Sequence, residues 1–222
     1  SHDHETGRCM VLVTPDGERS LNTYLGVSEF LGPDDIDETM MASADWLYLE
    51  GYRFDGPDSK AAFAKAIDAC RAAGGRVSLT LSDPFCVERH RDDFREMIKN
   101  HIDLLFCNEH EMAAMYPGET LDQSMRDAAQ EIDIVVCTAS DKGAYVLKDG
   151  VMEHAHAIPT RIVDATGAGD LFAAGFLYGL VHEYDMLTCA RMGNVAAAEV
   201  ISHIGARPEA DLLEQFRDHG LV

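Results

Sequence analysis

The sequence predicts an α/β fold built on a mostly parallel sheet with helices on both faces. Three observations predict it. Short strands of nearly continuous apolar, β-branched character alternate with amphipathic helical stretches, the pattern of a sheet buried on both sides. Glycine and proline punctuate the joins between them. The 222 residues are 46% hydrophobic, enough for one sizeable core and well above the composition of a disordered chain.

Each element has a local reason. Arg8 to Thr14 is apolar and β-branched, Pro15-Asp16-Gly17-Glu18 is a turn, and Arg19 to Leu25 alternates, so these residues form a β-hairpin. Pro33-Asp34-Asp35-Ile36-Asp37 starts a short helix with acidic residues at the positive end of its dipole. Trp46 to Glu50 is a strand ending at Gly51. Ser59 to Ala73 places Ala62, Phe63, Ala66, Ile67 and Cys70 on one helical face and stops at Gly74-Gly75. Arg76 to Leu81 is a strand broken by Asp83-Pro84-Phe85. A helix across Arg91 to His101, a strand at Leu104 to Cys107, a helix from Glu109, a helix across Leu121 to Glu131 and a strand at Ile134 to Thr138 continue the alternation. A second hairpin (Gly143 to Leu147, Val151 to His156) precedes a Gly-rich turn, and helices over Leu171 to Leu180 and Met186 to Ser202 follow. The charged stretch Glu88 to Arg95 reads as a solvated helix face.

Charge narrows the partners. Lys and Arg total 18 against 39 Asp and Glu, and the formal charge of -21 repels nucleic acid backbones and anionic membranes. A polyanionic small molecule binds such a chain only where backbone dipoles or a divalent cation overcome the field. The six scattered cysteines, without a C-x-x-C pair, read as buried free thiols and point to the cytoplasm. The longest apolar run, Leu171 to Val181, falls short of the ~18 residues of a membrane span and reads as a buried helix. His2 and His4 read as solvated. His154 and His156 alternate along a strand with no zinc-site spacing.

In Asp164-Ala165-Thr166-Gly167-Ala168-Gly169-Asp170, small residues run directly into an apolar helix, so first-turn N–H groups can point at an anion. Gly167 and Gly169 let a phosphate approach the main chain, and Asp170 puts a carboxylate beside the same spot. That carboxylate suits the proton of an attacking hydroxyl in phosphoryl transfer. The helix dipole is expected to keep it ionised. On the Gly-Asp pair alone, an Asp that merely caps the helix or complements its dipole is the favoured reading. Neither a P-loop Gly-Lys-Ser/Thr nor a dinucleotide fingerprint is present.

The stretch D-A-T-G-A-G-D followed by Leu171-Phe172-Ala173-Ala174-Gly175-Phe176 resembles the second signature of the ribokinase-like (pfkB) kinases, with Ala165 where Thr is usual. The resemblance implies Asp170 as catalytic base and the amides of Gly167, Ala168 and Gly169 as the anion hole. Asn108-Glu109-His110-Glu111 is similar to the family's N-x-x-E motif, which implies magnesium organised by Asn108 and Glu111 through water. Thr138-Ala139-Ser140-Asp141-Lys142-Gly143 is similar to its nucleotide loop, with Ser140 in place of the first Gly, which implies ATP contacts at Thr138 and Gly143. Asn194 to Ala206 resembles the closing helix and Gly-Ala loop. This implies Asn194 and Gly205 at the ATP site, and Asp164 at a monovalent cation such as K+. Segments such as Ser78 to Phe85 and Asp103 to Glu109 resemble adenosine kinase-like members.

The family reading makes residues 1–26 a remnant of a lid hairpin and 27–222 a ribokinase-like nucleotide-binding domain. It also makes the chain a fragment, or the ordered part, of a longer kinase, because the family's N-terminal third is absent from it. The expected activity is transfer of the ATP γ-phosphate to a hydroxyl of a nucleoside or sugar, adenosine-like acceptors first. A kinase of ribose, fructose or a keto-deoxy sugar acid, and a non-catalytic nucleotide-binding relative, stay open, as does a homodimeric assembly.

Overall fold

A computed structural model of the chain describes residues 4–56, 58–118 and 120–222. His2 lies outside the described residues. His4 is exposed and stacks on Phe30, with 4.3 Å between ring centroids.

Strands β1 (Arg8–Val13) and β2 (Arg19–Tyr24) form the predicted two-stranded ribbon, closed by Thr14 N–H to Glu18 O at 2.8 Å and Gly17 N–H to Thr14 O at 2.9 Å. The acidic helix start expected at Pro33 comes in two pieces: a 3-10 turn at Pro33–Asp35, then α1 (Glu38–Ala42), capped by Asp37. Six further strands are hydrogen-bonded in sequence order: β3 (Trp46–Glu50), β4 (Arg76–Thr80), β5 (Leu104–Asn108), β6 (Ile134–Thr138), β7 (Ala144–Lys148) and β8 (Val151–Ala155). β3 pairs with β4 and β4 with β5 in parallel, with Leu47 opposite Val77 and Leu79 opposite Leu105. The helices between and after them are α2 (Ser59–Ala72), α3 (Pro84–His101), α4 (Glu109–Met115), α5 (Leu121–Ala128), α6 (Ala168–Val181), α7 (Met186–Val200) and α8 (Leu212–Asp218).

Several elements differ from expectation. Helix α3 begins at Pro84, well before Arg91: Asp83 accepts the N–H groups of Phe85 (2.7 Å) and Cys86 (3.2 Å), and Pro84 stands at the first helical position, where its missing N–H is no loss. A kink at His90 (φ -125°, ψ 23°) interrupts the periodicity, so only the second half was legible. Helix α5 stops at Ala128, short of Glu131. Helix α8 escaped the sequence reading because seven residues hold too few turns for a helical period to show.

The chain divides into two compact units, each discontinuous in sequence. In the first, formed by residues 4–8, 24–137 and 147–151, α2 packs on β3 and β4, and the strand residues Val77, Leu79, Leu104, Leu105, Val135 and Val136 are buried, as are the predicted face of α2 and Phe94 and Ile98 of α3. Burial of each large side chain contributes about 1.5–3 kcal/mol. In the second, formed by Cys9–Thr23, Thr138–Val146 and Met152–Val222, α6 and α7 pack at close range. A Cβ on Gly175 would lie 2.7 Å from Met192 O, and one on Gly193 2.8 Å from the Phe172 ring. Met192 and Val195 of α7 then bury against Phe216 of α8 and Leu221. None of the six cysteines forms a disulfide; five are buried as expected, but Cys9 on the open ribbon is exposed. Among the described residues, no helix is long and apolar enough to cross a membrane.

Candidate active site

Helix α6 starts at Ala168, earlier than the apolar run suggests, so Gly169 and Asp170 belong to its first turn. Gly167 is the N-cap, with φ 85° and ψ 1° in the left-handed region, and it has no side chain to cap with. The Ala168 N–H makes a long 3.4 Å bond to Ala165 O. The N–H groups of Gly169 and Asp170 have no acceptor one turn back in the helix. No atom lies within 4 Å of where a Cβ on Gly169 would point, so the turn faces open space. Of the predicted anion-hole amides, that of Ala168 is thus engaged, and Gly169 shares the exposed part of the turn with Asp170. Asp170 differs from expectation in one respect. Although its side chain is open to solvent, desolvation by the protein around its carboxyl raises its pKa above the ordinary value, and only the Arg19 guanidinium pulls the other way. A carboxylate so raised is a better proton acceptor while it stays ionised.

Asp164 holds the approach to that turn. It is buried; Oδ1 accepts Thr166 Oγ1 at 2.6 Å and Thr166 N–H at 2.9 Å, and Oδ2 accepts Gly205 N–H at 3.0 Å. The Thr166 hydroxyl above all, with the Gly205 and Thr166 amides and the charge of Arg19, keeps its pKa low despite burial. These bonds account for Asp164 as a tie between two loops, and nothing in them calls for the cation expected there. Gly205 has φ 109°, with open space where a Cβ would project. Asn194, expected to contact ATP, donates both Nδ2 protons to the carbonyls of Ala155 and His156, at 3.0 Å each, so its amide anchors the end of β8.

The Thr138 to Gly143 loop follows β6 as predicted. Ser140, in place of a family glycine, nevertheless adopts φ 49°. Gly143 has φ 98°, and a Cβ there would come within 2.1 Å of Ala155 O. Close packing on β8 thus explains Gly143 without a ligand.

Asn108 and Glu111, in the first unit, form a reciprocal capping box on α4. Asn108 Oδ1 accepts the N–H groups of His110 and Glu111 at 2.9 Å each; Glu111 Oε2 accepts Asn108 N–H at 2.9 Å and Oε1 accepts Asn108 Nδ2 at 2.7 Å. Glu111 is 5% exposed. Desolvation raises its pKa to about 7; the Asn108 N–H opposes this, and the charges of Asp83 and Glu50 add to it. With these oxygens already bonded, the pair suits a hydrated divalent cation held through its waters, the form magnesium prefers, and not direct ligation.

The second unit also contains a cavity of about 640 Å³, within the usual size of a small-molecule site. Ile158, Pro159, Val195 and Ala198 give it an apolar wall, and Glu199 and His203 a polar one.

Residues 1–212 match the profile of the pfkB family carbohydrate kinases. The chain belongs to the pfkB family. Among solved structures, a probable sugar kinase from Rhizobium etli superposes with a TM-score of 0.95 at 39% identity over 97% of this chain. Adenosine kinase from Sinorhizobium meliloti superposes with 0.93 at 38% over 96%. The ATP-dependent ribose-1-phosphate kinase of Halopiger xanaduensis is 31% identical over 93% of this chain. The chain spans 66% of the length of each of these three proteins.

Three residues of this pfkB chain went unnoticed in the sequence. Arg19 of β2 acts electrostatically on both Asp164 and Asp170, from far away in sequence and outside any motif. Glu199 and His203 line the cavity, one helical turn apart, with Nε2 3.5 Å from Oε1. Burial lowers the pKa of His203, but the Ile204 carbonyl, Glu199 and Glu209 together raise it above the ordinary value.

Proposed function

We propose that the chain transfers the γ-phosphate of ATP to a hydroxyl of a ribosyl-bearing small molecule, adenosine first among them. The observation that carries this reading is the open first turn of α6. There, unclaimed N–H groups and a carboxylate of raised pKa share one surface, with Arg19 near enough to act on that carboxylate. The acceptor hydroxyl gives its proton to Asp170 while the Gly169 and Asp170 amides, at the positive end of the helix, and Arg19 offset the charge of the moving phosphoryl group. Nucleotide binding extends by this reading to Thr138, Gly205 and the cavity beside α7, whose apolar wall suits a flat base. Magnesium would supply neutralisation of the phosphate charge, and Asn108 and Glu111 are the residues of the first unit that would hold it through its waters.

Ribose 1-phosphate and adenosine, the acceptors in the names of two relatives, share a ribosyl group, and two further relatives named 5-dehydro-2-deoxygluconokinase make a keto-deoxy sugar acid the second acceptor class. The test is Asp170→Asn in the intact protein. ADP release with adenosine, ribose 1-phosphate and ribose as acceptors should fall at least ~100-fold in kcat while ATP affinity stays near wild type. Near-normal turnover in this variant refutes the assignment. ATP binding by the wild type without transfer to any acceptor would make the chain a nucleotide-binding relative without catalysis.

A further inference from the structure

Glu199 lies in the stretch that resembles the closing helix but has no role assigned there, yet it is the most heavily engaged carboxylate at the end of α7. Its side chain is 9% exposed, and Oε1 accepts the backbone N–H groups of Glu209 and Ala210 at 2.8 Å each. Charge-assisted bonds of this kind are among the strong ones. Its own carbonyl accepts Ser202 Oγ at 2.7 Å. One residue thus holds both ends of the irregular segment from Ser202 to Ala210.

The middle of that segment touches the phosphate turn. Gly205 N–H donates to Asp164 Oδ2 at 3.0 Å, and the same carboxylate fixes Thr166 through its other oxygen. Ala206 lies directly against the N-cap of α6, since a Cβ on Gly167 would come within 3.0 Å of Ala206 O and 3.1 Å of its Cα. The second oxygen of Glu199, Oε2, is buried without a partner, an expense that a native fold tolerates where a role demands it.

We propose that Glu199 is a positioning residue of the nucleotide site. It clamps the loop over residues 202–210 so that Gly205 and Ala206 hold Asp164 and Gly167, and through them the first turn of α6, ready to receive a triphosphate. This rests on the reading of that turn as the phosphate site.

The test compares wild type, Glu199→Ala and Glu199→Gln by two measurements: amide hydrogen exchange of the free protein, and calorimetric titration with magnesium ATP. In Glu199→Ala, exchange at residues 204–206 should rise about tenfold while that of β4 and β5 is unchanged, and the Kd for magnesium ATP should weaken about tenfold. Glu199→Gln keeps an oxygen acceptor for the two N–H groups and should restore both to within about threefold. Unchanged exchange at 204–206, or a rise spread through β4 and β5, overturns the clamp. A loosened loop with unaltered magnesium ATP affinity overturns its part in nucleotide binding. If the wild type itself fails to bind magnesium ATP, the phosphate-site reading has failed, and the positioning role falls with it.

Discussion

At the start of α4, Asn108 and Glu111 satisfy each other and the first-turn amides; at the start of α6, Gly167 offers no side chain, and the Gly169 and Asp170 amides find no acceptor in the helix. Both helices face the same problem of orphan N–H groups at a positive dipole end. The first consumes them internally, with a carboxylate that is 5% exposed, whereas the second leaves them facing open space beside a solvent-accessible one. The contrast lies in what each start leaves available: the capped one has its side chains engaged and could meet a cation only through waters, and the uncapped one keeps amides for an anion.

Four substitutions probe that contrast, beginning with the largest expected effect. Gly167→Ala forces a side chain into a left-handed conformation and against Ala206, and should cost about 1–3 kcal/mol in chemical denaturation. Gly169→Ala meets no neighbour and has better helix propensity, so its melting temperature should hold or rise. Its methyl group nevertheless stands where a phosphate would approach, and calorimetry should show magnesium ATP binding weakened about tenfold. Unaltered affinity would close the supposed opening. Asn108→Ala removes the α4 cap and should destabilise by about 1 kcal/mol, most of it recovered by Asn108→Ser, in denaturant titrations.

Arg19→Met gives the smallest change, and its sign follows from charge. As the proposed base, Asp170 would act while deprotonated, and the guanidinium favours that form, so losing it raises the Asp170 pKa further. The acid limb of the kcat/KM profile should therefore move to higher pH. A shift to lower pH, or none, would show that Arg19 does not act on the base.

Much of the architecture was legible because it is local. The β6 strand, the apolar face of α2 and the hairpin turn follow from neighbours a few residues apart. The Asp83-Pro84 start of α3 was misread as a break, although the same two residues are a helix-start signal, because a kink hid the turn that follows. At the candidate site, residue type and order picked out Asp170 and Glu111 alike. They did not reveal that Glu111 is enclosed, that the amide of Asn194 belongs to the end of β8, or that Glu199 holds a loop.

The sequence by itself determined the α/β alternation, the apolar helix faces and the family, since dihedral preferences and apolar periodicity act within about one helical turn. Tertiary structure decided which polar groups remain available. The Asp164–Gly205 bond spans 41 residues and the Asn194–Ala155 bond 39, and burial, which raises the pKa of Glu111, comes from packing between distant segments. Desolvation and hydrogen-bond completion depend on everything within a few ångströms, whatever its place in the chain, and no local pattern encodes them.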